Sequence, residues 1–223
     1  MAQNHIPLST VPNGANGKRP PGRPRSEHSR QAILHSTLKL LRREGGFPDL
    51  TIESIAADAN VSKATVYRWW PNKAALVADA FAASAEEELQ FPDTGSLRSD
   101  MSLQMRRVIS VFRSPRGKIV AALLAGGQSD PELLEAFRER FLWPKRRQAY
   151  KILERAIDRG ELPANSNLDL ILDSLYGPIY MRFLIRHDEL REDFADEISG
   201  IVLNGCDRRT FHSSSSHQKA RFH

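Results

Sequence analysis

Residues 51–76 read TIESIAADANVSKATVYRWWPNKAAL, two short helical segments on either side of a tight turn. Thr51 stands just before a run in which Ile52, Ile55, Ala56 and Ala59 recur at helical spacing, which makes it the expected N-cap. Glu53 in the first turn suits the positive end of the helix dipole. The third helical position holds Ser54 rather than Glu or Gln, so a strict capping box is not expected. Asn60 is among the few non-glycine residues that tolerate the left-handed backbone region, and the chain reverses there. Ser62 caps a second helix that Pro71 stops near Trp70. Asn72 caps a third, with Leu76, Val77, Ala80, Phe81, Ala85 and Leu89 on its apolar face.

This spacing is that of a helix-turn-helix. Ala56 is small enough to let the two helices approach, and Val61 plugs the angle between them. Ser62, Lys63, Ala64 and Thr65 put short side chains at the start of the second helix. Such an end can enter a major groove, about 12 Å wide, and touch base edges.

Upstream, Ile33, Leu34, Thr37, Leu38 and Leu41 mark a helix that begins at Ser26 and ends before Gly45-Gly46 and Pro48. Downstream, Leu97, Met101, Met105, Val108, Ile109 and Phe112 form an amphipathic stripe, and Ile119 to Leu124 a short buried segment. Leu133 to Ile157 predict a long helix interrupted or kinked at Pro144. Leu168, Ile171, Leu172, Leu175, Tyr176, Ile179 and Phe183 mark a helix over 168–186, and Phe194, Ile198, Ile201 and Val202 another over 190–204. No run alternates with the period of a strand. The expected class is all-α with about nine helices. It divides into a disordered basic arm (1–25), a helix-turn-helix domain (26–73), a helical bundle (74–206) and a disordered tail (207–223).

The net charge of +5 is unevenly placed. Lys18, Arg19, Arg23 and Arg25 face no acid within residues 1–26, and residues 207–223 carry Arg208, Arg209, Lys219 and Arg221 against Asp207. Residues 27–73 are net +2, and 74–206 net −4. An anionic partner is therefore expected at the N-terminal third. The single cysteine, Cys206, excludes an intrachain disulfide framework and any multi-cysteine metal site, and reads as a small apolar residue at a helix end. The longest apolar run, Ile119 to Ala125, is far short of the roughly 20 residues that span a membrane. No signal peptide is visible, and a cytoplasmic protein with no membrane partner is expected. The seven histidines are scattered, and no nucleophile–base pair, metal-ligand spacing or phosphate loop is found. No enzyme, cofactor or metal is expected.

From Thr51 to Ala56 and from Val61 to Leu76 the chain resembles the DNA-binding domain of the TetR family of regulators. The family pattern has a Thr, then Ile-Ala, a Gly-Val-Ser turn, Thr-x-Tyr, an aromatic pair, and a Lys opening the fourth helix. The match covers roughly residues 28–80, and Asn60 stands where the family usually has Gly. The resemblance implies that Lys63, Ala64 and Thr65 face base edges, that Thr51, Ser62, Tyr67 and Lys73 bind phosphates, and that Arg68 does either. Of Trp69 and Trp70, at least one is expected in the core.

Pro21-Gly22-Arg23-Pro24-Arg25 is similar to the core of an AT-hook, in which Arg23 and Arg25 on an extended chain enter a narrow minor groove. The resemblance also implies a homodimer through 168–186 and 190–204 and an effector-binding bundle over 97–160. Candidate ligand contacts are Phe112, Gln128, Phe137, Phe141, Trp143, Tyr176 and Tyr180. Gln104 and Gln128 are hydrogen-bonding candidates in this region, each expected at the surface. The function implied is a regulator, usually a repressor, released from a palindromic operator by a small molecule. A sequence-tolerant architectural DNA-binding protein is the alternative.

Overall fold

A computed structural model of the chain describes residues 23–43 and 47–206, with side chains from Glu27 onward. Residues 1–22 and 207–223, where the arm and tail are expected, lie outside the described residues. Among the described residues there is no strand, and the helices form nine rods. These are α1 (Arg23–Arg43), α2 (Ile52–Asp58), α3 (Lys63–Trp69), α4 (Lys73–Ala85), α5 (Leu97–Arg113) and α6 (Pro115–Gly127), followed by a compound rod, α7. α7 runs from Pro131–Phe137 through a π-helical turn, Arg138–Leu142, into Trp143–Asp158. The last two are α8 (Leu168–Ile185) and α9 (Phe194–Gly205).

Local chemistry sets the boundaries. Thr51 Oγ1 accepts from Ser54 N at 3.0 Å, and Ser54 Oγ accepts from Thr51 N at 3.4 Å, a reciprocal capping box built with Ser in the place of Glu. The sequence rule that looks for a long acid or amide there misses this pair, because a hydroxyl at the third helical position also reaches back. Asn60 holds φ of 54°, and Val61 N donates to Ala56 O at 2.9 Å to close the turn. Ser62 accepts from Thr65 N at 3.2 Å, and Asn72 Oδ1 from Ala75 N at 2.7 Å, so α3 and α4 begin at their expected caps.

One expectation about proline is corrected and one takes a specific form. α1 begins at Arg23, so the backbone from Arg23 to Arg25 is helical rather than extended, and the first rod starts three residues before Ser26. Pro24 sits in the first turn, where its fixed φ fits a helix and its missing N–H has no partner to lose. At Pro144 the expected interruption of α7 is a π-helical turn rather than a break in the rod. The amide of Trp143 donates to Arg138 O, five residues back, and this widened turn just ahead of Pro144 accommodates a residue without an N–H.

One continuous core joins all the rods. α4 lies at its centre and touches α1, α6 and α7. α1, α2 and α3 pack Ile33, Leu34, Leu50, Ile55, Val66 and Trp70 at one end. α5 to α8 surround the other end, and α9 lies against α5 and α8. Gly117 is fixed by sterics, since a Cβ there would overlap the Phe112 carbonyl and push α6 off the end of α5.

Candidate nucleic-acid interface and internal cavity

α3 presents two faces. Val66 is buried, with Thr65 and Trp69 half-buried beside it. Lys63, Ala64, Tyr67 and Arg68 occupy the opposite arc and are exposed, Tyr67 to 52% despite its ring. Ser62 and Thr51, the caps of α3 and α2, are exposed as well. Short side chains at the start of α3 and an uncovered tyrosine with an arginine beyond them suit contact with a polyanion. Lys63 is not idle: its Nζ donates to Glu53 Oε1 at 2.9 Å, both groups in solvent. The bond raises the lysine pKa and lowers that of Glu53.

Lys73 makes a contact within the protein that the sequence did not indicate. Its Nζ donates to Phe47 O at 2.9 Å and lies 4.2 Å from the centre of the Phe47 ring, and burial lowers its pKa. The ammonium joins the start of α4 to the loop before α2, and at most its remaining N–H groups are open to solvent. The side chains of Arg23 and Arg25 lie outside the described residues.

Behind α3, Trp70 is 1% exposed, and its indole Nε1 donates to Asp79 Oδ2 on α4 at 2.7 Å. The same oxygen accepts from Arg140 Nη1 at 2.8 Å, and Arg140 belongs to the π-helical turn of α7. Asn72, the cap of α4, donates to Glu132 at the start of α7. Arg30 of α1 sits about equally far from both tryptophan rings, 5.9 and 6.0 Å from their centres. The end of the reading helix is thus wired through one carboxylate to α7.

The π-helical turn also forms part of a cavity wall. A space of about 430 Å³ lies among α5, α6, α7 and α8, within the usual size of small-molecule sites. Phe112, Phe137, Phe141, Tyr176 and Tyr180 line it as expected. The rings interlock: Phe81 of α4 meets Phe141 edge-on at 4.8 Å, and Phe112 meets Tyr180 at 5.1 Å. Burial pushes the Tyr180 phenol up to about 12 and raises Tyr176 further, so both stay protonated donors at neutral pH.

Two expected contacts are absent from the wall. Gln128 is exposed at the end of α6, where its Nε2 donates to Leu124 O at 3.1 Å. Trp143 lies two positions past Phe141, on the other side of the rod, and is half-buried away from the cavity. Gln104, expected at the surface, is instead 2% exposed and lines the cavity. The signal was present: Gln104 stands three residues after Met101 and four before Val108, on the apolar stripe itself. Lys145, Arg146 and Asp173, which the sequence pattern did not single out, also reach the wall.

α8 carries a third surface. Leu170, Met181, Leu184 and Ile185 are exposed on one arc, Met181 to 58%, and Ile201 on α9 is 76% exposed. That arc borders the cavity-lining arc of the same helix at Gly177, which is exposed, lines the cavity, and has nothing within 4 Å of the position a Cβ would take. Cys206 closes α9 as a buried thiol whose pKa burial raises. No helix among the described residues is long and apolar enough to cross a membrane.

Residues 33–80 match the family model for bacterial regulatory proteins of the tetR family, and residues 91–202 the model for the tetracyclin repressor-like C-terminal domain. The uncharacterised HTH-type transcriptional regulator YdeS of Bacillus subtilis (strain 168) is 40% identical over 183 residues, which is 82% of this chain and 90% of that protein. The DNA-binding transcriptional repressor TetR of Mycobacteroides abscessus is 32% identical over 152 residues, 67% of this chain and 78% of its own length. The crystal structure of the TetR family transcription regulator SCO0332 superposes with a TM-score of 0.71 at 34% identity, covering 80% of this chain and 98% of that one. The helix-turn-helix, the helical bundle behind it and these matches agree, and the chain belongs to the TetR family of transcriptional regulators, DNA-binding proteins rather than enzymes.

Proposed function

We propose that the chain is a homodimeric repressor that reads a palindromic operator with paired α3 helices and is released by a small molecule held in the cavity, acting in the cytoplasm. The observation that carries the reading is the Trp70–Asp79–Arg140 link, because it joins the end of the reading helix to the wall of the cavity. Lys63, Ala64 and Thr65 read bases, while Thr51, Ser62, Tyr67 and Arg68 hold phosphates and Lys73 braces α4. Arg23 and Arg25 extend α1 toward the adjoining groove as a helical rather than an extended arm. Phe112, Phe137, Phe141, Tyr176 and Tyr180 hold the effector. The apolar arc of α8 with Ile201 of α9 meets its mate across a two-fold axis, and Gly177 allows close approach.

A ligand that swells or fills the cavity moves the π-helical turn, and Arg140 passes that displacement to Asp79 and Trp70. Such a change respaces two α3 helices that must lie about one helical turn of DNA apart.

Binding to DNA upstream of the chain's own coding region, compared with scrambled DNA at fixed salt, tests this. A specific site bound about a thousandfold or more tighter is expected. Equal binding to all sequences, with Lys63→Ala and Thr65→Ala weakening every one alike, is the outcome for an architectural protein.

Glu53→Gln is expected to tighten operator binding by up to about fivefold while leaving the melting temperature nearly unchanged. The exposed Glu53–Lys63 pair adds little to stability, but its opening is a step that DNA binding must pay for. Fluorescence anisotropy on operator DNA measures the gain. Weaker binding by this variant would mean that Glu53 positions Lys63 rather than restrains it.

A further inference from the structure

We infer that the cavity takes an uncharged, mostly apolar molecule that presents a hydrogen-bond donor, a hydroxyl or an N–H, to Oε1 of Gln104. The inference rests on the cavity being the effector site and names the chemistry of its occupant.

Gln104 lies on α5 and is 2% exposed at the cavity wall. Its amide lies by the Tyr176 hydroxyl, where it lowers that phenol's pKa against the larger opposite effect of burial. Oε1 has no hydrogen-bond partner among the described residues. A buried acceptor without a donor thus stands at the wall of a space otherwise lined by Val108, Phe112, Leu124, Phe137 and Leu172. A buried carbonyl without a donor is costly, and a ligand that supplies one gains the difference. A hydroxyl suits the place best, since it donates to Gln104 and can accept from Tyr180, which burial keeps protonated.

Two cations on the wall do not alter this. Lys145 Nζ is 3.2 Å from both Glu86 Oε2 and Leu89 O. Arg146 is bound by Asp169 at 2.6 Å and Asp173 at 2.8 Å. Each positive charge already has a carboxylate, and Asp173 itself lines the cavity, so an anion would have to displace a partner and sit near that carboxylate. A cationic ligand meets an Asp173 already satisfied by Arg146. The wall offers hydrogen bonds and no free charge.

The test uses the full-length protein and three probes of one shape: 4-phenylphenol, its methyl ether 4-methoxybiphenyl, and biphenyl-4-carboxylate, each titrated by calorimetry. The phenol is expected to bind about tenfold tighter than the ether, and the carboxylate more weakly than the phenol. In Gln104→Leu the preference for the phenol over the ether should fall to near unity. Gln104→Met, closer in shape to glutamine, is the second variant if the leucine protein does not fold. Leu124→Trp, which fills the cavity, should weaken all three probes.

An ether bound as well as or better than the phenol overturns the inference, since the amide would then not be offering an oxygen. So does a phenol preference that survives in the Gln104 variants. A carboxylate that binds tightest shows that Lys145 and Arg146 select the ligand instead. If no probe binds, or none responds to Leu124→Trp, the reading of the cavity as the effector site fails, and this inference fails with it.

Discussion

Met181→Glu is expected to convert the proposed dimer to a monomer and to lower operator affinity by about two to three orders of magnitude. Met181 is 58% exposed on the apolar arc of α8, between Leu170 and Ile185, and lies outside the cavity lining. In a two-fold pairing of this arc the two glutamates approach each other in a desolvated patch, where like charges are strongly unfavourable. A monomer reads one half-site, and the second contact no longer benefits from being tethered to the first. Because the side chain points out of the bundle, the folded protomer should keep its melting behaviour and its cavity. Light scattering behind gel filtration gives the mass, and anisotropy on a two-half-site operator gives the affinity. A variant that stays dimeric would place the interface elsewhere, and Ile201→Glu would then separate α9 from α8.

The reading head was legible because its determinants are local. Thr51, Asn60, Ser62, Asn72 and Pro71 each act within four residues along the chain, and all five sit where the sequence placed them. What was not legible depends on distant parts of the chain or on an unusual hydrogen-bond register. The contact of Lys73 with Phe47 spans 26 residues and is identifiable only once α4 is packed against the preceding loop. Pro144 was expected to interrupt or kink α7, and the interruption takes a form that a proline rule counting one lost bond does not specify, a π-helical turn just ahead of it. The aromatic residues of the cavity were named from the family resemblance and their residue type. Trp143 was swept in with them because apolar size was allowed to outweigh its phase on the rod. Gln104 was missed for the opposite reason, since polarity was allowed to outweigh phase. No sequence pattern singled out the charged side chains of the wall, Lys145, Arg146 and Asp173, whose stems close a cavity while their heads pair with one another and with Glu86 and Asp169.

Asp79→Ala should be the most damaging single change to the link between the two halves of the molecule. After Lys73, Asp79 is the only charged residue in α4, a helix otherwise built of alanines, small polar residues and core apolar side chains. Its Oδ2 accepts from Trp70 at 2.7 Å and from Arg140 at 2.8 Å. Alanine leaves the buried indole N–H without an acceptor, at a cost of about 1–3 kcal/mol. For a chain of this size that corresponds to a fall of roughly 2–10 °C in melting temperature, readable by calorimetry. Arg140 is one-third exposed and can turn to water, so it adds little to the loss. The effect on DNA binding follows from where Trp70 sits. It closes α3, and without Asp79 the end of that helix is held only by packing and by Arg30, so operator affinity should fall by about tenfold. Asp79→Asn separates the two bonds. Its carbonyl oxygen still accepts from Trp70, so stability and apo operator affinity should stay near those of the parent, while the charge that holds Arg140 is gone. If the carboxylate transmits the state of the cavity wall to α3, the asparagine protein binds operator but no longer registers a cavity ligand, so the ligand's affinity becomes the same with and without DNA. Equal behaviour of the alanine and asparagine proteins in both assays would mean that Asp79 merely stabilises the fold, and that the signal runs instead through Asn72 and Glu132 or through the packing of Phe81 against Phe141.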